Sequence, residues 1–261
     1  MMPTLNIAVS AARAAGQIIL RNIPRIESLK VHEKAPNDFV TEVDHKAEQE
    51  IIYVLQKSFP DYGIIAEESG VTEGKEDSQW IIDPLDGTTN YLHGIPHYCV
   101  SIALRQNGKL EIGVIYDPVK EELFCASRGN GATLNNRRLR VSSQHQISGS
   151  LLATGFPYLL EQDHTAYLEG FESIIKQNCG IRRAGAAALD LAYVAAGRYD
   201  GFWEYGLNSW DMAAGVLLVQ EAGGLVCDRQ GGHDYLKSGE IIASNSRLFK
   251  TLVKQLHNVN K

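Results

Sequence analysis

Trp80-Ile81-Ile82-Asp83-Pro84-Leu85-Asp86-Gly87-Thr88-Thr89-Asn90-Tyr91 is the stretch from which the rest of the chain can be interpreted. It opens with three apolar residues typical of a buried strand. Proline cannot donate a hydrogen bond to a sheet, so we predict that this strand ends at Pro84. The Gly-Thr-Thr-Asn sequence that follows can form a turn and open a helix. No Lys or Arg lies between Trp80 and Gly94, so Asp83 and Asp86 have no cationic partner close to them in sequence.

The spacing of these two aspartates favours a bound divalent cation. Two carboxylates about 4 Å apart, at an effective dielectric constant near 20, repel each other by roughly 4 kcal/mol. A hard cation such as Mg²⁺ prefers oxygen ligands and would remove that repulsion. The alternative is a solvated loop in which Asp86 and Gly87 serve only as turn residues. The motif by itself leaves both interpretations open.

Length and charge limit the classes of protein to consider. The 261 residues suffice for one large domain or two closely packed ones with a substantial core. The net charge of −6 argues against a general nucleic-acid-binding surface. Two local basic clusters remain, Arg137-Arg138-Leu139-Arg140 and Arg182-Arg183, and we interpret them as surface charge of a hairpin and a loop.

The cysteines and the apolar runs indicate the cellular environment. No CxxC pair occurs, so we predict buried free thiols in a reducing compartment rather than a metal site. The four cysteines are Cys99, Cys125, Cys179 and Cys227. No run approaches 18 apolar residues and the start of the chain lacks a continuous apolar segment, so neither a membrane span nor a signal peptide is predicted. We therefore expect a cytoplasmic protein.

Helical spacing of apolar residues predicts two N-terminal helices, over residues 4–22 and from about residue 42 to Phe59. Thr41 followed by Asp44 resembles a capping box at the start of the second helix. Asp44 could serve as this cap or could instead orient a catalytic hydroxyl. Between the helices we predict a polar connector over residues 30–38. A short buried strand at 64–66 then leads into Glu67-Glu68, and a polar loop is predicted over residues 71–79.

The remainder of the chain predicts a layered α+β or mixed α/β body rather than a doubly wound fold. Residues 98–133 alternate short strands with turns, and Asn107-Gly108 is a strong hairpin signal, so an antiparallel meander is expected. Asn208 or Ser209 can cap a helix that has Asp211 in its first turn, where the helix dipole favours a carboxylate. Further strands are predicted at 151–156, 201–205, 225–227 and 241–244, and further helices at 165–177, 186–196 and from about 247.

Taken together, Glu67-Glu68, the block from Asp83 to Asn90, and Trp210-Asp211 closely resemble the motifs of the inositol monophosphatase family. The resemblance is greatest to the bacterial inositol-1-monophosphatase branch and spans nearly the whole chain. It implies a layered α-β-α-β-α sandwich of the sugar-phosphatase type. It also implies a single domain over residues 1–261, with an N-terminal α+β half of about 1–145 and a C-terminal α/β half of about 146–261.

The resemblance also assigns roles to individual residues. It implies two or three Mg²⁺ ions, and the ligands at matching positions are Glu67, Asp83, the Leu85 carbonyl, Asp86 and Asp211. Thr88 and Asp44 match the hydroxyl–carboxylate pair that, with Glu67, activates the attacking water. The substrate would contact Asp86 and Asp211, the backbone at Gly87 and Thr88 on the phosphate side, and Gly185, Ala186, Ala187 and Glu204 on the polyol side.

The expected activity is Mg²⁺-dependent hydrolysis of a phosphate monoester by metal-activated water, with inositol 1-phosphate as the first candidate substrate. Fructose 1,6-bisphosphate and 3′(2′),5′-bisphosphate nucleotides are alternatives within the family. Gly155-Phe156-Pro157 and Asn208 depart from animal relatives and leave the substrate preference open. An aspartate-nucleophile phosphatase is disfavoured because the spacing is DxxDGT rather than DxDxT.

A different class of function is docking to a protein or RNA assembly, for which Arg137–Arg140 and Arg182-Arg183 are the sequence handles. The family resemblance further implies a homodimer and sensitivity to lithium.

Overall fold

The computed structural model describes residues 3–29, 31–35, 38–156 and 164–257. The helices are α1 (Pro3–Asn22), α2 (Glu42–Ser58), α3 (Thr88–Leu92), α4 (His164–Ile175), α5 (Ala187–Ala195), α6 (Ser209–Glu221), α7 (Tyr235–Ser238) and α8 (Phe249–His257), with a short 3₁₀-helix at Ile23–Ser28. The first eight strands are β1 (Val31–Ala35), β2 (Asp38–Thr41), β3 (Gly63–Ala66), β4 (Gly70–Thr72), β5 (Ser78–Asp86), β6 (Cys99–Gln106), β7 (Lys109–Asp117) and β8 (Glu122–Ser127). The others are β9 (Gly131–Leu134), β10 (Arg137–Arg138), β11 (Leu151–Thr154), β12 (Gly180–Arg182), β13 (Gly201–Tyr205), β14 (Gly224–Cys227) and β15 (Glu240–Asn245).

A large mixed sheet contains the central sequence block. Its strand order is β10-β9-β8-β7-β6-β5-β3-β4, and β3 and β5 are its parallel pair. The strands from β5 to β10 are antiparallel neighbours in sequence order, which confirms the predicted meander. The turn between β6 and β7 has positive φ at both Asn107 and Gly108, as the sequence of that hairpin predicts.

A second, five-stranded sheet is formed by the C-terminal part of the chain. Its order is β12-β11-β13-β15-β14, with β11 parallel to both β12 and β13 and β15 antiparallel to β13 and β14. The strands predicted at 201–205, 225–227 and 241–244 all lie in this sheet. Strand β12 was not predicted.

Three apolar clusters stack the elements in five layers. Alternation along β5 places Trp80 and Ile82 against α1 and α2, while Ile81 faces the opposite side of the sheet. There the large sheet packs against α5 and α6, which also cover the inner face of the small sheet. Helices α4 and α8 cover the outer face of the small sheet. The order is α-β-α-β-α, which confirms the predicted layered fold.

Three local predictions need correction. Strand β5 does not end at Pro84 but continues to Asp86, with a register shift against β6 between Asp83 and Asp86. A proline is tolerated there because a bulge interrupts the ladder that it could not complete. The connector predicted at 30–38 contains β1 and the start of β2, and residues 30, 36 and 37 lie outside the described ranges. The loop predicted at 71–79 is shortened at both ends by β4 and β5.

The predicted division near residue 145 remains a prediction. It falls between β10 and β11, where the chain passes from one sheet to the other. The cysteines are free, with Cys99, Cys125 and Cys227 buried and Cys179 half-buried. Within the ranges described above, the structure contains no helix of the length and hydropathy needed to cross a membrane.

Candidate active site

The end of β5 and the turn after it form the floor of the main pocket, a cavity of about 400 Å³. Asp83 is buried, and its Oδ1 accepts a hydrogen bond from the Leu85 N–H at 2.9 Å. Gly87 has φ of +96°, and a Cβ there would lie 2.9 Å from the His97 carbonyl oxygen. Glycine is therefore required by both the backbone conformation and the available space. This turn brings Asp86 and Thr88 to the same cavity.

Asp44 both caps a helix and contacts the hydroxyl of Thr88. Its Oδ2 accepts hydrogen bonds from the N–H of Thr41 at 2.9 Å and from the Thr41 hydroxyl at 2.5 Å, as in a capping box. Its Oδ1 lies 2.9 Å from the Thr88 hydroxyl, which can donate either to Asp44 or to the Leu85 carbonyl. Burial raises the pKa of Asp44, and the hydrogen bonds from Thr41 and Thr88 oppose that rise. The two interpretations left open by the sequence are therefore compatible.

Asp86 is held from the opposite side of the pocket. Its Oδ2 accepts a hydrogen bond from the Ala188 N–H, in the first turn of α5, at 2.8 Å. The Cys99 thiol donates to the same oxygen, with Sγ 3.7 Å away. A backbone hydrogen bond from Ala187 also stabilises the anionic form of Asp86. The metal-binding turn predicted from sequence is thus attached directly to the segment predicted to contact the polyol.

The acidic groups of this pocket affect one another's ionisation. Burial raises the pKa of Asp83 well above its usual value, and the negative charges of Glu67, Asp86 and Asp211 raise it further. Burial likewise raises the pKa of Asp86 to about 7, although the Ala188 N–H stabilises its anionic form. Such mutual destabilisation of neighbouring carboxylates is relieved when a cation binds among them.

The donor chemistry of this group fits a hard cation, since it supplies carboxylate oxygens and the Leu85 carbonyl. Across the described part of the chain, however, no three His, Cys, Asp or Glu side chains already converge on one point as a metal cage. Several of the carboxylate oxygens are instead engaged by backbone N–H groups, such as Oδ2 of Asp211, which accepts from the Asn208 N–H at 2.6 Å. The residues fit a divalent ion by charge and donor type, while their geometry is not that of a closed coordination shell.

Glu204 occupies the far wall of the pocket. Burial raises its pKa to about 8, and the positive charge of Arg183 lowers it. A Cβ at Gly155 would lie 1.8 Å from Oε1 of Glu204, so the carboxyl group fills the space that a side chain at position 155 would need. Gly155 is one of the positions at which this sequence departs from animal relatives, and its lack of a side chain leaves the space that the Glu204 carboxyl group occupies.

The structure gathers nearly all of the sequence-predicted residues around one cavity. Those that line it are Glu67, Asp83, Leu85, Asp86, Gly87, Thr88, Gly185, Ala186, Ala187, Glu204 and Asp211. Asp44 lies behind Thr88 rather than in the lining. Of the two departures from animal relatives, Gly155-Phe156-Pro157 and Asn208, the cavity is lined by Phe156 and Asn208, and Pro157 lies outside the described residues.

Two residues to which the sequence assigned no role in the site, Arg183 and Asp190, also lie in or beside the pocket. Arg183, predicted to be surface charge, lines the pocket with its guanidinium carbon 5.5 Å from the centre of the Phe156 ring. Asp190 on α5 is buried with no hydrogen-bond partner for either carboxylate oxygen, and burial raises its pKa well above the usual value. An aspartate within the apolar run Ala187–Ala195 was the only sequence signal for it. The other basic cluster lies elsewhere, with Arg137 and Arg138 exposed on strand β10, as predicted.

Comparison with known proteins covers the full length of the chain. A sequence model described as the Inositol monophosphatase family matches residues 1–261. The Nus factor SuhB of Pseudomonas aeruginosa is 56% identical over 258 residues, covering 97% of this chain and 95% of that protein. The crystal structure of extragenic suppressor protein suhB from Bartonella henselae superposes with a TM-score of 0.95 at 47% identity, covering 98% of each chain. The inositol monophosphatase of Anabaena (Nostoc) superposes with a TM-score of 0.84 at 39% identity, covering 97% of this chain and 95% of that one.

Proposed function

The chain belongs to the inositol monophosphatase family, and from that membership we propose that it hydrolyses the phosphate monoester of a small polyol, with inositol 1-phosphate as the first candidate substrate. The observation that carries the proposal is that one cavity of about 400 Å³ has Glu204 at one end and an acidic group at the other, in which Asp83 is buried and Glu67, Asp86 and Asp211 are half-buried. The acidic group suits the phosphate end with its cations, and Glu204 suits hydroxyl groups at the other end. The family is generally Mg²⁺-dependent.

The residues that would hold Mg²⁺ are Glu67, Asp83, the Leu85 carbonyl, Asp86 and Asp211. Bound Mg²⁺ would lower the pKa of a water molecule and neutralise charge on the phosphate and the leaving oxygen. The chain supplies rigidity to this arrangement, since Asp86 is fixed by the Ala188 N–H and Asp83 by the Leu85 N–H. We propose that two or three Mg²⁺ ions bind there.

We propose that Thr88, oriented by Asp44, helps to remove the proton of the attacking water. When the Thr88 hydroxyl donates to Asp44, its oxygen can accept a hydrogen bond from a water in the cavity. Because burial raises the pKa of Asp44, this carboxylate accepts a proton more readily than an exposed aspartate would. The capping hydrogen bonds from Thr41 keep Asp44 in position while it does so.

The polyol would lie between Gly185–Ala187 and Glu204. Burial raises the pKa of Glu204 to about 8, which favours its protonated form, and a protonated carboxyl group can both donate to and accept from hydroxyl groups. Arg183 at the same wall could also receive a second anionic group. For that reason fructose 1,6-bisphosphate and 3′-phosphoadenosine 5′-phosphate belong in the substrate test.

Phosphate release should be measured on these three substrates with and without Mg²⁺. We expect Mg²⁺-dependent turnover, fastest on inositol 1-phosphate, and preference for another substrate would change the specificity but not the chemistry. Asp86→Asn and Asp211→Asn should each abolish most of the turnover without unfolding the protein. Asp61→Asn is the matched control, because Asp61 is a surface residue paired with Lys75. Near-normal turnover of both site variants at saturating Mg²⁺ would disprove the metal assignment.

A second candidate function is docking to a protein or RNA assembly. It is favoured by the name Nus factor, carried by relatives that are 49–56% identical to this chain, because that is not the name of a hydrolase. The exposed arginines Arg137, Arg138 and Arg182 are the proposed contacts. Charge reversal of these residues should abolish co-purification of the partner and spare phosphate release, and binding insensitive to the reversal would count against them.

A homodimer and inhibition by lithium are also proposed from family membership. Sedimentation velocity tests the first, and phosphate release titrated with Li⁺ at fixed Mg²⁺ tests the second. A single species of monomer mass, or turnover unaffected by Li⁺, would reject the corresponding proposal.

A further inference from the structure

Two segments of the C-terminal half contribute to the lining of the cavity, residues 184–188 through Gly185, Ala186 and Ala187, and residues 208–211 through Asn208, Trp210 and Asp211. In addition to the bond between the Ala188 N–H and Asp86, each segment accepts a hydrogen bond from a buried polar side chain of the N-terminal half. We propose that these side chains, Asn90 and Ser101, are positioning residues that set the two segments relative to the metal-binding turn. The inference rests on the proposed phosphatase function, although its test includes measurements that do not require turnover.

Ser101 is the link to the segment that carries Asp211. It lies on β6 directly opposite Asp83 of β5, so the two side chains lie on the same face of the sheet. Its hydroxyl is buried and donates to the carbonyl of Trp210 at 3.1 Å, across 109 positions of sequence. Trp210 immediately precedes Asp211 in the first turn of α6. One serine therefore connects the strand opposite Asp83 to the backbone that presents Asp211.

The geometry of Asp211 shows why an external contact is needed. Its Oδ2 accepts from the Asn208 N–H in the same turn, which fixes the carboxylate relative to its own helix. That local bond does not fix the helix relative to β5. The Ser101 hydroxyl donates a hydrogen bond from the large sheet to this turn, and such a bond is directional, whereas the apolar contacts of α6 are not.

Asn90 is the link to the segment that faces the polyol. Its side-chain amide donates to the Ala184 carbonyl at 2.9 Å and lies 3.3 Å from the Gly185 carbonyl. The same amide donates to the His97 carbonyl at 2.9 Å, which anchors Asn90 in the N-terminal half. Gly185 has φ of +86°, and a Cβ there would approach Asn90 Nδ2 to 3.2 Å. The chain is therefore shaped to pass closely over this amide just before α5.

The two positioning roles can be separated by intrinsic fluorescence. Trp80 and Trp203 are fully buried, whereas Trp210 is half-buried at the cavity, so the fluorescence accessible to acrylamide comes from Trp210. Ser101→Ala should increase acrylamide quenching of Trp210 and weaken Mg²⁺ binding, measured by titration calorimetry, about tenfold. Ser101→Thr, which keeps the hydroxyl, should restore both. Ser150→Ala is the matched control, since Ser150 is also buried and donates to a carbonyl, that of Ile147 at 2.6 Å.

Asn90→Ala should act on the other segment. We expect faster amide hydrogen exchange in the peptide covering residues 184–188 and a KM for the polyol phosphate raised about tenfold, with a smaller change in kcat. Trp210 quenching should stay at the wild-type level. Asn22→Ala is the matched control, because the buried Asn22 amide donates to the Ile18 carbonyl at 2.7 Å and Asn22 does not line the cavity.

The outcomes distinguish this inference from the proposed function. If no substrate is turned over but Ser101→Ala and Asn90→Ala give their separate quenching and exchange signatures, the positioning roles stand and the phosphatase proposal fails. If both variants, folded like the wild type, leave Trp210 quenching, Mg²⁺ binding and exchange at 184–188 unchanged, the positioning roles are overturned whatever the activity. Identical effects of the two variants on all three measurements, or equal effects of the control variants, would overturn them as well.

Discussion

Replacing Gly155 by alanine should impair the polyol end of the cavity without breaking the fold. The added Cβ would lie 1.8 Å from Oε1, 1.9 Å from Cδ and 2.2 Å from Oε2 of Glu204. Ordinary contact requires separations of about 3.5–4.0 Å, so the carboxyl group must move by roughly 1.5–2 Å. It can do so because the clash is with the end of a side chain beside a cavity. No positive φ constrains Gly155, so the backbone itself accepts alanine.

The expected cost follows from the size of this displacement. A misplacement of about 1 Å in a binding group can lower a rate by about 100-fold, which corresponds to roughly 2.7 kcal/mol of lost transition-state stabilisation. We expect kcat/KM on inositol 1-phosphate to fall by about 10- to 100-fold. The loss should lie mainly in KM, since Glu204 is proposed to contact the polyol rather than the phosphate. Steady-state phosphate release measures kcat and KM, and thermal unfolding tests whether the fold is intact.

Two further variants test the reasoning. Gly180→Ala is the control, because a Cβ at Gly180 would approach the end of the Leu151 side chain at 3.0 Å, outside the cavity. In a Glu204→Ala background, Gly155→Ala should have little further effect, since the group with which it collides is gone. Unchanged kcat/KM for Gly155→Ala, or an equal loss with and without Glu204, would refute the assignment of Gly155 as the space that Glu204 requires.

Three other perturbations have defined outcomes. Glu204→Gln should stabilise the protein more at pH 8 than at pH 5 in Mg²⁺-free buffer. Burial raises the folded-state pKa of Glu204 to about 8, so the wild type loses unfolding free energy as the pH rises from the unfolded-state pKa to that value, by at most about 1.4 kcal/mol per pH unit. Urea unfolding of both proteins at the two pH values measures the difference. Gly87→Ala should lower the unfolding free energy by about 1–3 kcal/mol because of its positive φ and the nearby His97 carbonyl, and wild-type stability would contradict this. Thr41→Ala should lower the unfolding free energy by about 1 kcal/mol because a helix cap is lost, and it should reduce kcat less than Thr88→Ala does. Urea unfolding and kinetic measurements on both variants test this, and a larger loss of kcat in Thr41→Ala would contradict it.

Local sequence patterns predicted the elements that depend on local physics. Alternation in β5, helical spacing in α1 and α2, the capping box at Thr41 and the Asn107-Gly108 hairpin all depend on neighbours within a few residues, and the structure confirms them. The predicted end of β5 was wrong because a strand tolerates a proline where its pairing is interrupted by a bulge. That interruption is a property of the pairing with β6 and cannot be read from the local sequence. The short strands β1, β2, β4 and β12 were missed because they form only by pairing with neighbouring strands.

The sequence by itself determined which residues could form the site: an uncompensated pair of aspartates, a glycine turn, and acidic residues at the ends of a strand and at the start of a helix. Only the tertiary structure decided how they meet. The Ala188 N–H reaches Asp86 across 102 positions, and Ser101 reaches Trp210 across 109. The Glu204 carboxyl occupies the space over Gly155, which directly follows the neighbouring strand β11 of the small sheet. These contacts arise when two sheets stack around α5 and α6. Hydrophobic burial, which drives that stacking, is non-directional, so the local pattern shows which face of an element is buried but not which distant residues will meet it.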